Sequence, residues 1–375
     1  MEKKRIAVGM SGGVDSAVAA YLLKEQGHSV TGIFMKNWDE QAEGEEECTA
    51  AEDFDDVRRV CDQIGIPYYT VNFTQEYWQR VFSLFLKEYQ AGRTPNPDVL
   101  CNKEIKFASF LDFCMQTGAQ YMATGHYCRL DREGGGVRLL KGVDPGKDQS
   151  YFLCMLKKEQ LAPALFPVGG MTKEQVREIA KKAGLAVAQK KDSTGICFIG
   201  ERKFRAFLKK YLPAQPGEMR TLDGRAVGRH EGLMYYTLGQ RRGLGIGGAG
   251  NGQRWFVVQK DLKNNILYVQ QGPDSPALYS RLCRTEPFSF INSPPAREFS
   301  CCCRYRYRQP DQRVRVRILE NGEALIEAEQ PQRAVTPGQY AVLYQGEECL
   351  GGGVVQEVFA MQEAGKKKEE KEGCL

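Results

Sequence analysis

An α/β domain built on a doubly wound parallel sheet, followed by small β domains, is the fold predicted for this 375-residue chain, and three observations predict it. From Lys4 to about Gly195, short apolar runs alternate with helical periods that close on glycine. The first strand-to-helix junction carries Ser11-Gly12-Gly13-Val14-Asp15-Ser16. Beyond about Arg220 the helical period vanishes and β-like runs between turn residues take over.

The first strand is the apolar run Ile6-Ala7-Val8-Gly9, and the helix Ala17 to Leu23 follows it. Gly27 closes that helix ahead of the second strand, Val30-Thr31-Gly32-Ile33-Phe34. A helix from about Ala50 sets Phe54, Val57, Cys61 and Ile64 on one face and stops at Gly65. Tyr68-Tyr69-Thr70-Val71 is the third strand, a long helix carries Tyr77, Val81, Leu84 and Phe85, and Tyr121-Met122-Ala123-Thr124 is the fourth strand. Such alternation implies a parallel sheet covered on both faces, whose ligands bind at the carboxyl ends of the strands. Thr172-Lys173-Glu174-Gln175 has capping-box spacing and opens a helix ending near Gly184. The later strands are expected at Trp255 to Val258, Ile266 to Val269, Val314 to Ile318, Ala324 to Glu327 and Tyr340 to Leu343, with a joint or turn at Asn292-Ser293-Pro294-Pro295. Gly243 to Gly248 satisfies a dinucleotide-binding pattern but precedes a strand, so it reads as a flexible loop near the active site. The expected domains are 1–205, 206–278 and 279–362, with a disordered charged tail at 363–375.

Composition narrows the class. No stretch approaches the roughly 20 apolar residues of a membrane span, and Met1-Glu2-Lys3-Lys4-Arg5 runs into a strand without a signal-peptide core, so a cytoplasmic protein with no membrane partner is expected. The 13 cysteines are odd in number and contain no Cys-x-x-Cys pair, which argues against a disulfide framework, a zinc ribbon or an iron–sulfur cluster. Cys301-Cys302-Cys303 alternates sides in a strand and reads as packing. The excess of 52 basic over 47 acidic residues is a weak argument for nucleic acid. Its distribution says more: acids crowd into Asp39 to Glu47 and arginines into 304 to 317, where Arg304, Arg306 and Arg308 alternate with Tyr305 and Tyr307. That alternation describes either a guanidinium face for phosphates or an ordinary solvated face over buried aromatics.

The two glycines after the first strand let the backbone turn tightly and aim successive N–H groups into one concavity, and the following helix adds its positive end. An anion is the natural occupant. The Gly-Lys-Ser/Thr ending of the common NTPase loop is missing, so no lysine of this loop reaches the β- and γ-phosphates, which favours pyrophosphate handling over γ-phosphoryl transfer. Further on, Asn96-Pro97-Asp98-Val99-Leu100-Cys101-Asn102 places a carboxylate three residues before a thiol, with a helix expected to begin close to Cys101 and activate it. Asp192-Ser193-Thr194-Gly195-Ile196-Cys197-Phe198-Ile199 sets a second thiol after a glycine turn. Spacing alone leaves either cysteine open to being an inert buried thiol.

Ser11 to Ser16 resembles the PP-loop of the ATP pyrophosphatase superfamily. Together with Asn96 to Asn102, Ala123-Thr124-Gly125-His126-Tyr127, Lys147-Asp148-Gln149-Ser150-Tyr151-Phe152, Ser193 to Phe198, Gly232 to Arg241 and Thr336-Pro337-Gly338-Gln339, it resembles the tRNA-specific 2-thiouridylase family over nearly the whole chain. The loop is common to many enzymes, whereas both cysteine motifs and the C-terminal signatures are specific to this family. The resemblance implies an adenine nucleotide alpha hydrolase-like first domain and a last domain that is a β-barrel. It implies that ATP, bringing its own Mg2+, adenylates the C2 oxygen of the wobble uridine so that AMP becomes a leaving group. Cys197 matches the persulfide cysteine, Cys101 the nucleophile that closes a disulfide with it, and Asp98 a base or uridine-positioning residue. ATP falls to Gly9, Met10, Ser11, Gly12, Gly13, Val14, Asp15, Ser16, Met35 and Gly125. The tRNA anticodon stem-loop falls to Asn96, Pro97, Asp98, His126, Lys147, Asp148, Gln149, Arg306, Tyr307 and Gln339. A sulfur donor, either a cysteine desulfurase or a sulfur relay protein, is implied as partner of a monomer with no metal site of its own. The competing readings are an adenylating amidotransferase or ligase of the same superfamily, which needs no thiol pair, and an RNA-binding module with a regulatory nucleotide loop.

Overall fold

The computed structural model describes residues 2–38, 49–191, 204–247 and 252–360. Five parallel strands form the first sheet in the order Tyr68–Asn72, Ser29–Lys36, Arg5–Met10, Tyr121–Ala123, Ala164–Leu165. The alternation of Arg5–Met10 feeds two cores. Ile6 and Val8 pack with Val14 and Val18 of the helix Val14–Glu25 and with Val176 and Ala180 of the helix Lys173–Lys182. Ala7 faces the opposite layer, with Val99, Ile105 and Phe110. A sheet buried on both sides follows from its apolar strands. The chain leaves the central strand first toward Ser29–Lys36 and later toward Tyr121–Ala123, so the crevice between these departures lies at the carboxyl end of Arg5–Met10.

The helices largely follow their sequence signals. Thr49–Ile64 buries Val57 and Cys61 and ends at Gly65, whose φ is +69°. Gln175 N donates to Thr172 Oγ1 at 3.3 Å and Thr172 N to Gln175 Oε1 at 2.8 Å, closing the expected capping box. The long helix at 74–90 contains a π turn at Trp78–Phe82. Tyr77, Val81 and Phe85 keep one buried stripe, but Leu84, expected beside them, is 40% exposed. The wider turn shifts the phase of the residues after it.

A second, mixed sheet runs Trp255–Asp261, Ile266–Gln271, Gly217–Arg220, Ala226–His230. The described part of the glycine loop packs on it, Leu244 being buried and Ile246 lying against Gly228. The C-terminal unit is a six-stranded antiparallel barrel that closes by pairing Tyr279–Pro287 with Glu348–Ala360. Cys283, Cys303, Val314, Val316, Ile326 and Leu343 fill it. Cys303 points into this core while Cys302 packs against the neighbouring one, as expected of alternate strand positions. Burial pushes the Cys283 and Cys301 thiols up to about 12, which marks them as packing groups.

One connection has no signal in the sequence. Cys128–Asp131 and Arg138–Lys141 form a hairpin inside the N-terminal half, and Leu139 and Leu140 pair with Cys349 and Glu348 of the barrel. The first domain thereby adds strands to the barrel's sheet.

Candidate active site

The loop after Arg5–Met10 is shaped by close approach. Gly12 has φ +72°, and a Cβ there would stand 2.7 Å from the carbonyl oxygen of Asp53. Gly13 caps the helix Val14–Glu25 in an extended conformation. Ser11 N donates to Ser16 Oγ at 3.2 Å, and Ser16 Oγ donates to Gly13 O at 3.2 Å, folding the turn onto the first helical residues. Gly125 closes the other wall, since a Cβ on it would meet Ser16 N at 2.7 Å and the Asp15 carbonyl carbon at 2.8 Å. A Cβ on Gly9 would lie 3.5 Å from Met35 Cε. Gly9 to Ser16, Met35 and Gly125 thus gather at one edge of the sheet. Met10 and Val14 are buried in the core, so only their backbones can face a ligand. A concavity whose walls at Gly12 and Gly125 leave no room for a Cβ, lined by amides at a helix N-terminus, fits phosphate oxygens.

Asp15, on the first turn of that helix, accepts from Tyr127 OH and from Lys173 Nζ, each at 2.7 Å, through one carboxylate oxygen. The sequence marks neither partner for this role. Lys173 is visible there only as part of a capping box, and Tyr127 only as part of a motif.

Asn96 caps the short helix Pro97–Cys101, its Oδ1 accepting from Asp98 N at 3.2 Å, with proline at the first helical position. The helix therefore starts at Pro97 rather than beside Cys101, and Cys101 lies beyond the first turn, where a helix dipole acts. The thiol is fully buried. Asp98 is half-buried. Asn102 anchors the next turn by donating Nδ2 to Phe152 O at 3.2 Å. Cys197 and the stretch Asp192 to Ile199 lie outside the described residues, as do the acidic loop 39–47 and the charged tail 363–375.

The residues expected to touch RNA divide. Gln339 donates Nε2 to Thr94 O at 2.8 Å, Thr94 N donates to Pro337 O at 2.9 Å, and Thr94 Oγ1 is 3.3 Å from Thr237 Oγ1. The two C-terminal signatures therefore meet on the segment that leads into Asn96, Pro97 and Asp98. Asp148 is 4% exposed; Oδ1 accepts from Gly142 N and Ser150 N, and Oδ2 pairs with Arg304 at 2.8 Å. Lys147 and Gln149 flank it half-buried, and Gln149 Oε1 accepts from Tyr127 N at 2.9 Å. His126 is buried against Phe107 and Phe166, its Nδ1 2.7 Å from Thr124 Oγ1. Burial, and then the Lys106 charge, hold its imidazole well below the usual histidine range.

The arginine-tyrosine alternation does not form the face expected of it. The strand Glu298–Arg304 ends at its first arginine, and Arg308 sits at φ +65°. Arg306 Nη2 turns back to Leu238 O, Ala334 O and Thr336 Oγ1 at 3.1, 3.0 and 3.1 Å. Tyr305 is buried, and Tyr307 packs tilted against Phe152, the ring centres 4.5 Å apart and the planes at 47°. A turn replaces the strand after Arg304: Tyr305 N donates to Gln309 Oε1 at 2.7 Å and Gln309 N to Arg306 O at 3.1 Å, while Arg304 pairs with Asp148.

Family models described as tRNA methyl transferase HUP domain, tRNA methyl transferase PRC-barrel domain and aminomethyltransferase beta-barrel domain match residues 4–201, 205–271 and 280–355. The chain is 58% identical over 362 residues to tRNA-specific 2-thiouridylase MnmA 1 of Geobacillus kaustophilus, covering 96% of this chain and 98% of the relative. It is 59% identical over 360 residues to MnmA of Bacillus subtilis, covering 96% of each, and 59% identical over 356 residues to MnmA of Alkaliphilus oremlandii, covering 95% and 98%. This chain belongs to the tRNA-specific 2-thiouridylase family. The domain descriptions speak of methyl transfer, while the full-length relatives are thiouridylases; identity at this level over whole chains gives the family the second name. The HUP domain of this thiouridylase is an ATP-using domain. No helix among the described residues is long and apolar enough to cross a membrane.

Proposed function

We propose that this chain is a cytoplasmic, monomeric tRNA sulfurtransferase that 2-thiolates the wobble uridine, and the observation that carries the reading is the cradle formed by Gly12, Gly125 and the helix starting at Val14 in a chain of the thiouridylase family. ATP, with Mg2+ carried on its phosphates, supplies the adenylyl group that turns the C2 oxygen of the uracil into part of a leaving group. The amides of Ser11 to Gly13 and the helix N-terminus bind the pyrophosphate portion, and Met35 and Gly125 border the rest of the nucleotide. Asp98, held at a capped helix start, orients the uracil or takes its proton.

Sulfur enters as a persulfide on Cys197, loaded by a desulfurase or relay protein. Its terminal sulfur attacks C2, a C–S bond forms, and AMP departs with the former C2 oxygen. The Cys101 thiolate then attacks the Cys197 sulfur; the S–S bond to the transferred atom breaks, thiouridine is released, and a Cys101–Cys197 disulfide remains for an external thiol to reduce. The alternative order, in which Cys101 frees hydrosulfide before attack on C2, ends in the same disulfide. Lys147 to Gln149, Arg306, Tyr307, His126 and Gln339 belong to the RNA-facing set either by contact or by holding the segment that makes it.

The test is Cys197→Ser, expressed in cells lacking their own thiouridylase, with 2-thiouridine measured in bulk tRNA. Loss of the modification, with tRNA-dependent pyrophosphate release retained by the purified variant, is expected; normal thiolation removes the mechanism. Cys101→Ser is expected to stop turnover with sulfur still on Cys197, as the covalent disulfide to the tRNA in the first order and as the unspent persulfide in the second, and mass spectrometry of Cys197 tells the two apart.

A further inference from the structure

We propose that the Lys173 ammonium binds the pyrophosphate portion of ATP over the loop at Ser11 to Gly13, standing in from a distant helix for the lysine that this loop does not carry. The inference rests on the reading that the loop holds pyrophosphate. Lys173 is the first residue of the helix Lys173–Lys182, and its backbone is fixed twice: Thr172 caps the helix, and Lys173 N donates to Asp144 Oδ2 at 3.0 Å. Its side chain, 12% exposed, crosses to Asp15 Oδ1 at 2.7 Å. Its ammonium also lies 5.9 Å from the centre of the Tyr127 ring, whose hydroxyl bonds the same carboxylate oxygen. Asp15 is the second residue of the helix whose N-terminus closes the loop, so the charge stands beside the amides that would receive phosphate.

Charge makes the case. A helix N-terminus offers roughly half a positive charge, well short of a pyrophosphate group. A lysine adds a compact full charge with three donors, and this one already stands at the Asp15 carboxylate beside the loop. Removing it would both withdraw that cation and leave the Asp15 carboxylate uncompensated beside the incoming phosphates. The turn that carries Lys147 to Gln149 is tied to the same place, since Asp144 Oδ1 accepts from Gly146 N at 2.9 Å while its Oδ2 holds Lys173 N.

The experiment is calorimetric titration of the full chain and of Lys173→Met and Lys173→Arg with ATP, inorganic pyrophosphate and AMP, alongside thermal melting. Lys173→Met is expected to weaken ATP and pyrophosphate binding by about tenfold or more while AMP binding changes by less than about twofold. Lys173→Arg, which keeps the charge but not the compact geometry, should fall between, and it carries the test if the methionine variant does not fold. Unchanged ATP and pyrophosphate affinity, or an equal loss for AMP, overturns the assignment and leaves Lys173 a structural partner of Asp15. Failure of the loop reading shows separately, in the wild-type protein, as ATP binding no tighter than AMP.

Discussion

Asp148 and Arg304 form a 2.8 Å ion pair with 3% and 15% of their side chains exposed, joining the turn after the first-domain hairpin to the end of a barrel strand. Arg304 also pairs with Asp311 at 2.6 Å and lies over the Tyr344 ring at 4.6 Å, while Lys141 of the hairpin reaches Asp311 at 2.6 Å. Two domains are thus riveted by charge where their strands already pair.

Breaking a buried pair from one side costs more than the pair contributes, because the remaining charge stays behind. Asp148→Ala should therefore lower stability by about 3 kcal/mol, read as a fall in the chemical-denaturation midpoint. An unchanged midpoint together with weakened tRNA binding would instead make Asp148 an RNA contact.

Gly125→Ala places a methyl 2.7 Å from Ser16 N and 2.8 Å from the Asp15 carbonyl carbon, both backbone atoms at the start of the phosphate-facing helix. The strand end and the helix must part, at a strain of about 1–3 kcal/mol. ATP affinity should drop with the fold retained. Titration showing wild-type affinity would mean the cradle is not the nucleotide site.

Lys260 gives a pH signature. Its ammonium, on the strand Trp255–Asp261, donates to Gly92 O of the first domain at 2.8 Å, and burial pushes its pKa down to about 8 from 10.5. Between those values the unfolded chain holds a proton that the folded protein has shed, so this group favours folding increasingly as pH rises through the window. Stability of the wild type relative to Lys260→Met should climb from pH 8 to 10, by at most about 1.4 kcal/mol per pH unit. Parallel profiles for the two proteins would refute the buried amine.

The local parts of the site were legible in the residues. Gly12 and Gly65 announce left-handed backbone, and Thr172 and Gln175 a reciprocal cap, because each signal acts within a turn of chain; the helix expected close to Cys101 instead starts at Pro97, where Asn96 caps it. The phase of Leu84 was not legible, since a π turn leaves no mark on hydrophobic spacing. Nor was the end of the strand at Arg304. Its alternation with tyrosines suits a strand, whereas the turn that follows rests on Gln309 Oε1 accepting from Tyr305 N and on Arg308 at φ +65°, and the ion pair of Arg304 joins it to Asp148, distant in sequence.

The sequence by itself determined the first four parallel strands with the helices between them, the phosphate-type loop and the family, because periodicity, glycine conformation and motif are written in consecutive residues. Tertiary structure alone decided that Asp15 meets Lys173 across 158 positions, that Gln339 holds Thr94 across 245, and that a hairpin near residue 130 completes a sheet begun after residue 279. Pairings of this kind depend on how buried faces close over one another, and loop closure over such distances costs little more than over short ones, so nothing in local spacing announces them.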